Sequence, residues 1–289
     1  MLNLLRRPDV YREGWPKSAF NRLTQLHTPQ TTDTSTKPGQ VALIGAGPGD
    51  PELITRKAWR LIQSADVLLY DALVSEALMQ EIPPHIRRIY VGKQKGAHSM
   101  SQEAIGKTLV GLAQQGLQVV RLKGGDALIF GRLGEELDAL KAAGIPYQIV
   151  PGITAAAGCA ASAGFALTER GQASRLRLIT AHHCDGRSLP WADLAQTDET
   201  LVFYMGLSQA HEISRGLREA GLPDDWPVLL VERGTQANER RVKTDLLDLP
   251  QAIIRHQLES PTLIFVGQVV QQVESEQAHA LGVHKLWPF

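Results

Sequence analysis

The sequence predicts an α/β protein of two α/β lobes, with a mostly parallel N-terminal sheet, a mixed C-terminal sheet and a ligand cleft between them. Three observations carry this. Short apolar runs alternate with helical patterns from residue 41 to residue 150, the rhythm of βαβ units and of a helix-covered parallel sheet. Pro151-Gly152 then punctuates the chain. Beyond it, the apolar run at 228–232 is followed closely by a strand pattern at 239–244, a spacing that suits a hairpin and so an antiparallel pair.

Taken in order, residues 1–38 end in the polar, turn-rich run Thr28 to Pro38, without apolar periodicity, and read as a flexible N-terminal extension. Trp15, Phe20 and Leu23 within it have the spacing of a short docking helix. The globular part starts near Gly39. Residues 41–44 are a buried-strand run, and 52–64 are helical by the spacing of Leu53, Ala58, Leu61 and Ile62. Strands follow at 67–70 and 86–91, a helix at 102–115 and a strand at 119–122. A helix at 135–143 is stopped by Gly144 and Pro146, and a strand at 147–150 closes a first lobe of residues 39–152. A small-residue helix at 154–163 and strands at 176–181, 200–204, 228–232, 239–244 and 261–266 make a second lobe of residues 153–275. Residues 276–289 form a tail.

Composition removes several function classes. Of 289 residues, 43% are apolar and 21% charged, enough for a core without staples. Lys+Arg and Asp+Glu both number 30, so the chain lacks the basic surplus on which non-specific nucleic-acid or membrane-surface binding draws. No apolar run reaches the ~18 residues of a bilayer span. The two arginines of residues 1–7 follow their apolar stretch instead of preceding it, unlike a signal peptide, and the cytoplasm is the default compartment. Cys159 and Cys184 are too few for a disulfide framework. In His182-His183-Cys184, neighbouring side chains point apart on a strand and no second ligand pair follows; no metal site is expected.

Two glycine turns stand at strand ends. Gly45-Ala46-Gly47-Pro48-Gly49-Asp50 follows the first strand. It fails the dinucleotide fingerprint, because Asp50 occupies the third glycine position and Pro48 removes a backbone N–H from any phosphate cradle. A nicotinamide oxidoreductase is thereby disfavoured. Lys123-Gly124-Gly125-Asp126 follows the strand at 119–122, with Ile129, Phe130, Gly131 and Arg132 just beyond. Either turn alone is as compatible with a plain bend as with backbone closely approaching a ligand.

Together they carry more. Gly45 to Asp50 opening into Pro51-Glu52-Leu53-Ile54-Thr55, then Tyr70-Asp71, Val91-Gly92-Lys93, Arg121 to Asp126, Val150-Pro151-Gly152-Ile153-Thr154-Ala155, Tyr204-Met205-Gly206 and Ser260-Pro261-Thr262-Leu263-Ile264 recur in this order. The set resembles the tetrapyrrole methylases, and within them the uroporphyrinogen-III C-methyltransferases, over residues 41–270. The resemblance implies the tetrapyrrole methylase fold with its cofactor in the cleft, and S-adenosylmethionine (SAM) as that cofactor, spent to S-adenosylhomocysteine. It implies uroporphyrinogen III as substrate, methylated twice to precorrin-2 for sirohaem, cobalamin or haem d1, and a homodimer. SAM contacts are implied at Pro48, Gly124, Gly125, Asp126, Ile129, Thr154, Ala155, Met205 and Gly234. Asp71 matches the family's proton acceptor and Lys93 its proton donor, while Arg132, Glu135 and Arg170 match charged positions around the substrate. The chemistry agrees. Methyl transfer from a sulfonium to a ring carbon must be balanced by loss of a proton from the ring system, which a carboxylate such as Asp71 or Glu135, working with Arg132, can accept. The substrate's carboxylates suit bidentate arginines such as Arg132 and Arg170.

The chain departs from the family pattern at Ala127-Leu128, where the family has Pro-Phe, at Gln94 in place of Arg, and at Glu169 in place of His. With no dehydrogenase or ferrochelatase sequence, a monofunctional enzyme is expected. Alternatives are another enzyme of the class, such as a later corrin-ring methylase, a diphthine synthase or an rRNA ribose methylase, and a SAM- or tetrapyrrole-binding homologue impaired in catalysis. Asp71 also allows a simpler reading, as the cap of the following helix.

Overall fold

The computed structural model describes residues 39–92, 100–181 and 187–273. The expected N-terminal extension, Lys93, the run His182-His183-Cys184 and the C-terminal tail lie outside them.

Five strands form the first sheet: β1 (Val41–Gly45), β2 (Val67–Tyr70), β3 (Arg87–Tyr90), β4 (Val119–Lys123) and β5 (Tyr147–Val150). Their order is β3-β2-β4-β1-β5 and every pairing is parallel. A parallel sheet needs both faces covered, and the alternation along β1 shows how. Ala42 and Ile44 pack with Ala58 and Ile62 of α1 (Arg56–Gln63) and Leu78 of α2 (Glu76–Glu81). Val41 and Leu43 face Ile105 and Leu109 of α3 (Gln102–Gln114) and Leu140 of α4 (Leu133–Ala142). Side-chain caps start three of these helices: Thr55, Ser75 and Ser101 accept from Ala58, Leu78 and Ala104 N–H.

The strand order places the site. From β1 the chain crosses over β4 to β2, whereas from β4 it crosses over β1 to β5. The connections leaving these adjacent strands therefore run in opposite directions. Such a topological switch opens a crevice at the strands' carboxyl ends, where ligands bind in open α/β sheets. Both glycine turns follow these two strands.

The second sheet contains β6 (Arg175–Thr180), β7 (Glu199–Tyr204), β8 (Pro227–Glu232), β9 (Arg240–Asp245) and β10 (Thr262–Val266), in the order β6-β7-β10-β8-β9. Only β6 and β7 pair in parallel; β8 and β9 are the expected antiparallel pair. α5 (Ala155–Ala163) packs Ala156, Cys159 and Ala163 on one face. The other face carries α6 (Trp191–Leu194), α7 (Ala210–Glu219) and α8 (Leu249–Arg255).

One predicted element divides. The helix expected over 52–64 is a 3-10 turn at Pro51–Leu53 followed by α1. Asp50 caps the first by accepting from Glu52 N–H, and Thr55 is extended and caps the second. Two caps so close in sequence cannot both be satisfied by one continuous helix. The sequence reading missed α2, α6, α7 and α8.

Candidate active site

The glycine bends after β1 and β4 are joined to each other. Gly47 N–H donates to Gly125 O at 3.1 Å and Gly125 N–H to Gly47 O at 2.8 Å, with both residues at positive φ where a side chain would be strained. The turn after β5 closes on the same point. A Cβ on Gly152 would lie 2.4 Å from Gly125 O, and one on Gly45 2.5 Å from Gly152 N. Three backbone segments thus meet at distances only glycine permits.

The second lobe completes the wall. Pro48 packs on Gly158 of α5, where a Cβ would sit 2.5 Å from its ring. Asp50 N–H donates to Thr235 Oγ1 at 3.0 Å, tying the first bend to the loop after β8. Glu239 holds that loop, accepting from Thr235 N–H and from Ser162 Oγ of α5. Gly234 abuts Cys159, whose thiol burial pushes up to about 12. At the end of β7 the Tyr204 hydroxyl lies 2.6 Å from Thr154 Oγ1 and accepts from Ala156 N–H. Its ring meets Phe130 at 5.1 Å, and burial raises the phenol above the usual tyrosine range. Asp126 orders its own turn by accepting from Leu128 N–H and, through its carbonyl, from Ile129 N–H. Pro48, Gly124, Gly125, Asp126, Thr154, Ala155, Met205 and Gly234 therefore come from both lobes to one place.

The strand ends carry charge. Asp71, just beyond β2, does not cap the next helix, which Ser75 caps. Its Oδ1 accepts from Leu73 N–H at 3.1 Å, and its Oδ2 lies 2.9 Å from Arg121 Nη2. Tyr90 stands beside it, its phenol raised by burial first and by the Asp71 charge next. Arg132 and Glu135 form an exposed bidentate pair at 2.7 and 2.9 Å, a fork able to exchange its partner for a ligand carboxylate. Arg170 is exposed on the turn bridged by Glu169 and Ala173, and Glu169 accepts from Gln272 at 2.8 Å.

The backbone is strained here. Of the non-glycine residues at positive φ, Phe130, Arg132, Met205, Arg233 and Thr235 all lie on these loops, each at a cost of about 1–3 kcal/mol. Leu73, Leu128, Phe130 and Met205 leave apolar surface exposed on them.

Residues 40–250 match the sequence model of the Tetrapyrrole (Corrin/Porphyrin) Methylases. The chain belongs to that family. Among its relatives are the siroheme synthases of Pseudomonas fluorescens (strain SBW25), 51% identical, and Pseudomonas aeruginosa (strain UCBPP-PA14), 50% identical. Each match covers 81% of this chain and 50% of the relative, so the chain spans about half the length of the curated relatives it matches. Among solved structures, the native uroporphyrin III C-methyl transferase of Thermus thermophilus is 37% identical with a TM-score of 0.69, over 81% of this chain and 99% of that one. The same enzyme complexed with S-adenyl homocysteine is 35% identical, covering 81% and 94%, also at 0.69. A cobalt precorrin-4 methyltransferase is 30% identical, covering 80% and 95%, with a TM-score of 0.72.

In this tetrapyrrole methylase, one part of the site escaped sequence reasoning. Arg121, Lys123 and Glu136 are buried beside Asp71. Glu136 Oε1 accepts from Lys123 Nζ at 2.8 Å and Arg121 Nε at 3.1 Å. Burial, then the Arg121 charge, lowers the Lys123 ammonium below the usual lysine range, and Glu136 opposes both. The signal was present. Glu136 takes a place in the apolar stripe with Leu133 and Leu140, and Arg121 shares a strand face with Val119.

Proposed function

We propose that this methylase is a SAM-dependent C-methyltransferase that converts uroporphyrinogen III to precorrin-2 by two successive methylations. The observation that carries the reading is the joined pair of glycine bends at the topological switch, with a carboxylate and an arginine fork on the neighbouring loops. The cradle suits SAM. It is lined by backbone approaching too closely for any Cβ, it lacks one N–H of a phosphate nest at Pro48, and it offers apolar surface at Leu73 and Met205. Pro48, Gly124, Gly125, Asp126, Ile129, Thr154, Ala155, Met205 and Gly234 are the residues proposed to hold the cofactor. The Thermus thermophilus enzyme complexed with the spent form supports the assignment.

When bound, SAM supplies a methyl group on a positively charged sulfur. The protein's task is alignment and proton removal. Asp71, fixed by Arg121 and by Leu73 N–H, is the proposed acceptor of the proton that the ring system loses as the methyl is added, with Glu135 the second carboxylate in reach of Arg132. Lys93 is the proposed donor; it lies outside the described residues. Arg132 and Arg170 are proposed to bind substrate carboxylates. Among the described residues no group of side chains could hold a metal, and no helix is long and apolar enough to cross a membrane. The siroheme synthase relatives support sirohaem as the destination. A cytoplasmic homodimer completes the proposal, and light scattering should give twice the chain's 31.6 kDa.

Purified protein is expected to bind S-adenosylhomocysteine by calorimetry. With SAM and anaerobically prepared uroporphyrinogen III, it should yield fluorescent methylated products after oxidation. Cofactor binding without such products would overturn the reaction assigned. Arg132→Ala should lower kcat/KM for the tetrapyrrole by about 10–100-fold, two or more charge-assisted hydrogen bonds being lost, and spare cofactor affinity. A parallel loss of S-adenosylhomocysteine binding would move Arg132 out of the substrate's wall.

A further inference from the structure

The buried charges beneath Asp71 form a chain with a direction. Arg121 is held on three sides: Nε by Glu136 Oε1 at 3.1 Å, Nη1 by Leu122 O at 2.7 Å and Nη2 by Asp71 Oδ2 at 2.9 Å. At one end of the chain the Glu136 side chain is fully buried, while at the other Asp71 keeps 23% of its side chain exposed. Glu136 is an expensive anchor. Both its oxygens are out of water, and Oε2 has no hydrogen-bond partner among the described residues. A cluster arranged for stability alone would satisfy both oxygens or replace the ions by apolar side chains. What this arrangement does instead is fix a guanidinium plane, and through it the Asp71 carboxylate.

We propose that Glu136 is a positioning residue for methyl transfer, setting the orientation of the Asp71 carboxylate through the Arg121 guanidinium. The proposal rests on the reading of Asp71 as proton acceptor. Without the Glu136 charge, Arg121 and Lys123 stand together as like charges with Asp71 their remaining counter-ion, and the guanidinium turns. The Asp71 oxygens turn with it, out of line with the proton that the tetrapyrrole must lose. Cofactor contacts, made by the glycine bends, stay as they are.

The test uses the whole chain in three variants, Glu136→Gln, Lys123→Met/Glu136→Gln and Asp71→Asn/Glu136→Gln, alongside Asp71→Asn. The second restores charge balance, which separates positioning from a stability defect. Wild-type turnover of anaerobic uroporphyrinogen III with SAM is the reference, so a failure of the functional reading appears in the wild type and a failure of this inference only in the variants. Glu136→Gln should bind S-adenosylhomocysteine within threefold of wild type and keep its KM for SAM. Its kcat should fall about 10–100-fold, the scale of a displacement of up to 1 Å. Lys123→Met should not rescue it, and adding Glu136→Gln to Asp71→Asn should cost no further rate, as for residues acting through one another. Full rate in Glu136→Gln, rescue by Lys123→Met, or losses that multiply in the Asp71 double variant would each overturn the proposal.

Discussion

Asp71→Asn is expected to lower kcat about 10²–10⁴-fold, the range for removing a positioned general base, with S-adenosylhomocysteine affinity within threefold of wild type. The substitution keeps the shape of a side chain wedged between Leu73 N–H and Arg121. An amide can still accept from Leu73. It cannot take a proton at neutral pH, and it offers no charge to the guanidinium. Proton removal is therefore lost while the bends are left intact. The measurements are single-turnover methyl transfer to anaerobic uroporphyrinogen III and calorimetric titration with S-adenosylhomocysteine. A rate within threefold of wild type would remove Asp71 from the chemistry. Equal losses of rate and binding would make it a pocket residue instead.

Gly152→Ala should weaken cofactor binding at least tenfold, by a different route. Its Cβ would meet Gly125 O at 2.4 Å and the backbone of Gly45 at under 3 Å. Both neighbours are main chain at the ends of buried parallel strands, so no side chain can swing aside. Relief requires the two bends to part, at a cost of about 1–3 kcal/mol in stability and at least tenfold in affinity, or about 1.4 kcal/mol. Gly111→Ala is the matched control. It lies within α3 with nothing within 4 Å of its added Cβ, and helix propensity predicts a gain of up to about 1 kcal/mol. Thermal melts and calorimetry on the pair decide the matter; unimpaired binding by Gly152→Ala would mean the bends are no pocket floor.

The glycine bends were legible in the sequence because each follows an apolar strand run, and βαβ rhythm places such turns at one edge of a parallel sheet. That they touch was not legible, since it depends on β1 and β4 being neighbours, a matter of strand order. Helix α7 went unread because Ile213 and Leu217 are its main buried apolar anchors among charged residues and Gly216. The second sheet's mixed pairing, by contrast, was readable from the short gap between β8 and β9. At the site, Asp71, Arg132 and Glu135 were picked out through the family resemblance. Glu136 was not, because a charged residue beside Glu135 reads as one more solvated carboxylate until the helix is turned so that it faces Arg121.

The left-handed conformations at Phe130, Arg132, Met205, Arg233 and Thr235 bear on how this chain, with the activity proposed for it, would respond to selection. Glycine at any of them would relax the main chain. A laboratory search for heat-resistant variants would accordingly be drawn to these positions, and the sturdier proteins it returned would be the poorer catalysts. Durability and turnover are set against each other in the same few loops, so improvements in one without loss of the other must come from the far faces of the two sheets.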